Sequence, residues 1–230
     1  MWREATSPNG VGSERKRLPR SQSIPLVYAV LVAGEVVVRQ ARLSDARAIA
    51  EVSVASRRWS YRDLLAEADL EALSVEETAA DFAEGLAELP LGAAVFVAEL
   101  TGRIVGYAYV LSSPDVDVPA ETSELGSIYV MEAVAGTGVA RTLMEEAIEH
   151  ALAARQGIFT LWVRQENARA RRFYEKQGMR PDGAERSGPH DVLPIEMHEI
   201  RYRMSLDRAR PSQGTRRSSS TRRARIDPQP

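Results

Sequence analysis

The sequence predicts a single mixed α/β domain: one mixed sheet of six or seven strands, covered by helices on both faces. Short β-branched runs alternate with longer stretches of helical period. Three strand-like runs follow one another and then give way to strand-helix-strand-helix, so antiparallel and parallel pairing must meet in one sheet. Composition agrees, with 44% hydrophobic and 27% charged residues in 230, the balance of a globular chain. At ~150 residues per domain, that length holds one domain with extensions, or two small ones.

The elements justify this in order. Val36–Arg42 is a β-branched strand. Ser44 opens a helix in which Ile49, Val52 and Trp59 recur at helical spacing. Ser74 and Glu77 form a capping box ahead of the stripe Val75, Ala79, Phe82, Leu86 and Leu89. Ala94–Leu100 and Arg103–Leu111 flank Thr101-Gly102, a hairpin turn. Leu125–Met131 is the next strand, and Val139–Ala153 a helix with Leu143, Met144, Ala147 and Ala151 on one face. Ile158–Val163 is a strand. Asn167 caps a helix ending near Gln177, with Gly178 just beyond. Ile200–Leu206 is the last strand, which makes the domain 36–206.

The ends differ from this body. Residues 1–35 read as an irregular leader and 207–230 as a disordered basic tail. The tail's Arg216–Arg225 stretch reads either as solvated or as a nucleic-acid or membrane contact, and it lacks the interleaved aromatics that stacking on bases requires. Between the ends, 18 basic and 27 acidic residues leave the domain acidic. That disfavours nucleic acid as its partner and mildly favours a cationic one. There are no cysteines, so disulfides, thiolate metal sites and a Cys nucleophile are excluded, and a cytoplasmic setting fits. Three scattered histidines make no metal site. The apolar run Leu26–Ala33 is too short to span a bilayer. It follows the basic stretch from Arg15 to Arg20, so a signal peptide is the alternative to a plain leader.

Chemistry concentrates after the Leu125 strand. Ala135-Gly136-Thr137-Gly138-Val139-Ala140-Arg141 leads from that strand into a long helix. Glycines admit positive φ and close ligand approach. The first helical amides lack internal partners and point into the loop with the positive dipole end, which suits a phosphate. The Rossmann fingerprint requires a small residue where Arg141 stands, and a Walker loop requires Gly-Lys-Ser/Thr. A ligand-free turn is the bland alternative.

Farther on, Leu161, Val163, Asn167, Ala170, Phe173-Tyr174 and Gly178-Met179 fall in the spacing Leu-x-Val-x-x-x-Asn-x-x-Ala-x-x-Phe-Tyr-x-x-x-Gly-Phe, with Met179 in the last place. With the glycine loop, this resembles the GNAT N-acyltransferase superfamily over about three-quarters of the chain. Ala135 stands where that family has Arg or Gln, removing one side chain that reaches pyrophosphate. The resemblance implies acetyl-CoA as donor, lying where the 125–131 strand splays from the 158–163 strand. Ile128, Tyr129 and Val130, the loop from Ala135 through Arg141, and Asn167 would line it. A backbone N–H near Val130 would bond the thioester oxygen. Tyr174 takes the place of the acid that protonates the departing thiolate, or is a core aromatic. Glu124 takes the place of the base, or is a plain strand residue, with Glu121 as its neighbour. Asn167 either reaches the cofactor or only caps. The stretch Arg57-Arg58-Trp59-Ser60-Tyr61-Arg62-Asp63-Leu64-Leu65 would lie between the first two helices and wall the acceptor. Ser112–Ser123, with Asp115 and Asp117, would form a lid suited to an amine. The expected function is N-acetylation of a small-molecule or amino-acid-like amine. The rivals are a protein amine acetyltransferase and a non-catalytic acyl-CoA sensor. Neither membrane nor nucleic acid is expected on the folded domain, and a homodimer is compatible with it.

Overall fold

A computed structural model describes residues 34–189, 195–206 and 221–226. The leader, and with it the signal-peptide alternative, lies outside these residues apart from Gly34 and Glu35. The strands are β1 (Gly34–Gln40), β2 (Ala94–Leu100), β3 (Arg103–Ser112), β4 (Thr122–Val130), β5 (Ile158–Arg164), β6 (Arg180–Pro189), β7 (Glu196–Ser205) and β8 (Thr221–Ile226). The helices are α1 (Ala46–Tyr61), α2 (Glu67–Glu71), α3 (Val75–Ala87), α4 (Val139–Ala153) and α5 (Ala168–Lys176). One sheet runs in the order β6-β7-β5-β4-β3-β2-β1-β8. Its pairs are antiparallel except β4 with β5.

Helices cover both faces, as expected. Ile49 and Val52 of α1 and Phe82 and Leu86 of α3 pack on Val95, Val97 and Tyr107. On the other face, Leu143, Met144 and Ala147 of α4 join Val36, Phe96, Phe159, Leu161 and Tyr202. β2 sits between these layers and is buried on nearly every residue. The Thr101-Gly102 turn has positive φ at both positions, 50° and 76°, as a tight turn matched to strand twist requires.

Four expectations change. The sheet has eight strands rather than six or seven, because Arg180–Pro189 forms β6 and part of the basic tail forms β8. It pairs with β1 from Gly34↔Ile226 to Arg39↔Thr221 and supplies the ladder that β1, otherwise an open edge, lacks. Its Arg222 bonds Glu145 at 2.9 Å and also pairs with Glu146 and Glu149 of α4, so acidic α4 fixes a segment that composition alone would leave solvated. Ser44 is not a cap. It sits in a 3-10 turn, Leu43–Asp45, where Asp45 accepts from the Arg42 N–H at 2.7 Å and from Arg39. The first strand starts at Gly34 rather than Val36. Of the stretch expected between the first two helices, Arg57–Tyr61 belongs to the end of α1. Ser74 does cap α3, accepting from Glu77 N–H at 3.2 Å.

Candidate active site

β4 and β5 pair only from Thr122↔Ile158 to Glu124↔Thr160. β4 continues to Val130 and β5 to Arg164, so the strands part just past Glu124. A bulge marks the parting. β3 and β4 pair Val110↔Leu125 and then Tyr109↔Ser127, leaving Gly126 unopposed. A bulge bends its strand, and a Cβ at Gly126 would crowd Tyr109 Cδ1 and Leu111 Cδ2 at 3.0 Å, so those side chains would have to shift to admit one. Met131 N–H bonds the Val105 carbonyl at 2.9 Å. In the alternating antiparallel pattern this turns the N–H groups of Ile128 and Val130 away from β3, into the splay. The Val130 carbonyl accepts from Ser56 Oγ at 2.8 Å, which anchors α1 to this strand end.

At the far end of β4 the glycine loop turns into α4. Gly136 and Gly138 have φ of 86° and 103°. Thr137 closes the loop on the Val134 carbonyl through its amide (3.3 Å) and hydroxyl (2.7 Å). The first amide bond within the α4 end is Thr142 N–H to the Gly138 carbonyl. The amides of Gly136, Gly138, Val139, Ala140 and Arg141 therefore have no acceptor among the described residues, the arrangement that binds phosphate. Arg141 lies along the helix surface, 68% exposed and paired with Glu145 at 3.0 Å, so its charge is engaged outside the loop. Ala135 is half-buried at the loop's start.

α5 closes the other wall. Asn167 accepts from Ala170 N–H at 3.0 Å and is exposed; capping is its observed role. At the C-terminus Gly178 has φ 89°, with Gly178 N–H on Glu175 O and Met179 N–H on Tyr174 O, a Schellman motif that fixes the helix end. Tyr174 is buried at 8% exposure, between Phe173 and Tyr202. Its hydroxyl makes no hydrogen bond among the described residues. Burial pushes its pKa above the usual phenol value, and Tyr129 of β4 adds to the rise.

Glu124 lies inside β4 rather than at its start. It is 7% exposed, and Ser113 Oγ donates to it at 2.9 Å. Burial raises its pKa. The Ser113 bond opposes this, Asp115 adds to it, and Arg186 and Arg201 oppose it more weakly. Glu121 is exposed, and its carbonyl receives the Gly157 and Ile158 amides. The expected lid is tied down. Arg201 of β7, its side chain 6% exposed, bonds Asp115 at 2.9 Å, Asp117 at 2.7 Å and Asp182 at 2.8 Å. Trp162 Nε1 also donates to Asp115 at 3.1 Å, and Arg186 stacks on the Trp162 ring at 4.4 Å. The two acids that seemed suited to an amine thus serve Arg201, and the 113–121 connection holds Ser113 over Glu124.

The end of α1 spans the mouth of the splay. Arg164 of β5 lies over Tyr61 (5.4 Å) and Arg169 of α5 over Trp59 (4.2 Å). Arg58 donates to the carbonyls of Leu70, Glu71 and Leu73. Beside them, a cavity of about 530 Å³ lies between α2, α3 and the sheet, with Arg57, Phe82, Leu86, Val95 and Tyr109 in its lining. Ser56, Ser113 and Arg201 have no motif to announce them; Trp162 occupies a free position of the strand motif. Among the described residues no His, Asp and Glu group could hold a metal, and no helix is long and apolar enough to cross a membrane.

Comparison with known proteins agrees with this geometry. The model of the acetyltransferase (GNAT) family matches residues 58–179. An uncharacterized N-acetyltransferase of Mycobacterium tuberculosis is 40% identical over 101 residues, 42% of this chain and 60% of that protein. Another, of Archaeoglobus fulgidus, is 36% identical over 87 residues, 37% of this chain and 59% of that protein. The chain thus spans about 60% of the length of these curated relatives. Among solved structures, the PaiA N-acetyltransferase of Thermoplasma acidophilum in complex with coenzyme A superposes with a TM-score of 0.54 at 16% identity, covering 74% of this chain and 98% of that one. YncA of Salmonella typhimurium with its cofactor acetyl-CoA does so at 0.56 and 22%, covering 77% and 98%. Matched by the family model over more than half its length, on the same fold, the chain belongs to the acetyltransferase (GNAT) family.

Proposed function

We propose that the protein transfers the acetyl group of acetyl-CoA to the primary amine of a small molecule, amino-acid-like compounds included. One observation carries the reading: a single splay joins a loop of unpartnered amides, two inward backbone N–H groups, a buried carboxylate and a tyrosine hydroxyl without a partner. The cofactor fits because the amides of Gly136 and of Gly138 through Arg141 need an acceptor and the pyrophosphate supplies one. The lack of an Arg or Gln side chain at Ala135 leaves the main-chain cradle whole. Bound acetyl-CoA supplies the activated acyl group.

The residues divide the remaining work. The Val130 N–H donates to the thioester oxygen, where negative charge develops. Glu124, ionised above its raised pKa, takes the amine proton directly or through one water. Tyr174 gives its proton to the departing thiolate. Its raised pKa makes it a weaker acid than a free phenol, but the same burial makes the thiolate more basic, so the two stay matched. Holding the reactants in line supplies the largest share. A cavity of about 530 Å³ falls in the small-ligand range, which favours a small acceptor over a protein. The lack of cysteines agrees with work in the cytoplasm.

The test is release of CoA thiol from acetyl-CoA across a panel of amines, beside thermal stabilisation by CoA. Release with an acceptor and a rise in melting temperature with CoA are expected. Stabilisation without turnover on any amine would mean a non-catalytic acyl-CoA binder. Turnover of peptide amines alone would mean a protein acetyltransferase. No stabilisation at high CoA concentration sinks the reading.

A further inference from the structure

We propose that the acceptor carries a carboxylate, bound by Arg57, and that its apolar body fills the cavity between α2, α3 and the sheet; the acceptor is then an amino acid with an aliphatic or aromatic side chain. This rests on the acetyl-transfer reading and names the substrate class of that site.

Arg57 reaches the cavity from the last turn of α1. Its neighbours each have a partner: Arg58 three carbonyls, Arg62 Glu132, and Arg164 both Glu166 and the Tyr61 ring, although the Arg164 Nε is itself buried without one. Arg57 makes no ion pair or hydrogen bond among the described residues, and its Nε is buried without a partner. Such a group is costly to shelter unless an acceptor meets it. A carboxylate meets the guanidinium fork with two parallel bonds.

The rest of the lining narrows the class. Asp69, Glu77, Asp81 and Glu88 also border the cavity and form no ion pair among the described residues. Carboxylates around one arginine repel a simple anion and attract an ammonium group, so a molecule bearing both charges satisfies the whole set. Phe82, Leu86, Val95 and Tyr109 add an apolar wall. Tyr109 pairs with Ser127, and its ring bounds the space at Gly126, so the cavity ends against the bulge that precedes the splay, two residues from Glu124.

The test compares L-leucine and L-phenylalanine with their decarboxylated counterparts, isopentylamine and phenethylamine, and with spermidine. For the native protein kcat/KM should favour each amino acid over its amine by about tenfold or more, because a site built to bond a polar group rejects the analogue lacking it. Arg57→Met should bring that ratio down toward one, a loss of about tenfold or more that matches the worth of a charged hydrogen bond, and Arg57→Lys should restore part of it. Calorimetry on the CoA-saturated protein reads the same contact without turnover: N-acetyl-L-phenylalanine should bind more tightly than N-acetylphenethylamine. Equal affinities, or faster turnover of the amines or spermidine than of the amino acids, overturn the carboxylate assignment and leave acetyl transfer standing. Failure of CoA to stabilise the protein overturns acetyl transfer itself.

Discussion

Replacing Tyr174 by phenylalanine separates chemistry from packing. The ring is buried at 8% exposure and touches Phe173 and Tyr202, and the substitution keeps those contacts. The hydroxyl has no hydrogen-bond partner among the described residues, so its removal breaks no bond there. Stability should stay level or rise by up to about 1 kcal/mol. For a domain of this size that is at most about 4 °C in melting temperature. Loss of a general acid should slow the chemical step about 10²- to 10⁴-fold, or about 3–5 kcal/mol of barrier. The assay is single-turnover CoA release by rapid quench, since product release can hide a chemical step in steady state, run beside a thermal melt of the same preparation. A mutant with native single-turnover rate refutes the acid role. A mutant destabilised by more than about 1 kcal/mol would show that the hydroxyl is bonded and structural, and the mechanism would need another proton source.

The acid limb of the kcat/KM profile should lie above the ordinary carboxylate range, because burial raises Glu124. Ser113→Ala removes the bond that favours the charged form, so it should move that limb to higher pH; a limb that stays in place argues against Glu124 as base. The same shift sets a stability sign. Glu124 binds its proton more tightly folded than unfolded, so its contribution is present below the unfolded pKa and lost as pH rises through the folded one. Glu124→Gln should therefore flatten this fall in a chemical-denaturation series across pH. Arg201→Met leaves Asp115 and Asp182 uncompensated and should cost about 3 kcal/mol in denaturant midpoint analysis; a change below ~1 kcal/mol would mean the network is dispensable. Gly138→Asp places a carboxylate at the loop, where φ is 103°, and should weaken CoA binding by calorimetry at least about tenfold; unchanged affinity would mean the loop has been misassigned.

The backbone of the proposed donor half was legible because it is made of main chain. A bare strand, a glycine pair and a helix start imply unpartnered amides whatever the neighbouring side chains are, and Gly136, Gly138, Asn167 and Gly178 each announce a φ or a cap that the structure contains. The acceptor half is made of side chains drawn from distant segments. Ser113, Arg201 and Trp162 converge on Asp115 and Glu124 only after β7 pairs with β5, and no local period encodes that. Arg57 was one of several charges in a stretch expected between the first two helices, and the structure places it inside α1 near its end. β8 failed for a related reason: six residues rich in arginine have no strand signature of their own, and their order comes from an open β1 edge and the glutamates of α4.

The bulge at Gly126 joins the two halves. The unopposed residue shifts β4 against β3 where its pairing with β5 stops, so one irregularity leaves the Ile128 and Val130 amides facing the splay and Glu124 as the last paired residue beside it. Had β4 continued paired to β5, those amides would be spent on a ladder and Glu124 would sit in an unbroken sheet. The cost is a glycine in a strand and a carboxylate held away from water. The Arg201 network contains that cost, since it fixes Asp115 and the connection bearing Ser113 against the strand, while Ser56 fixes its other end. Substitutions at the donor end should thus be governed by backbone conformation, and those around Glu124 by charge and hydrogen bonding, a division set by which half of the site the bulge leaves to main chain.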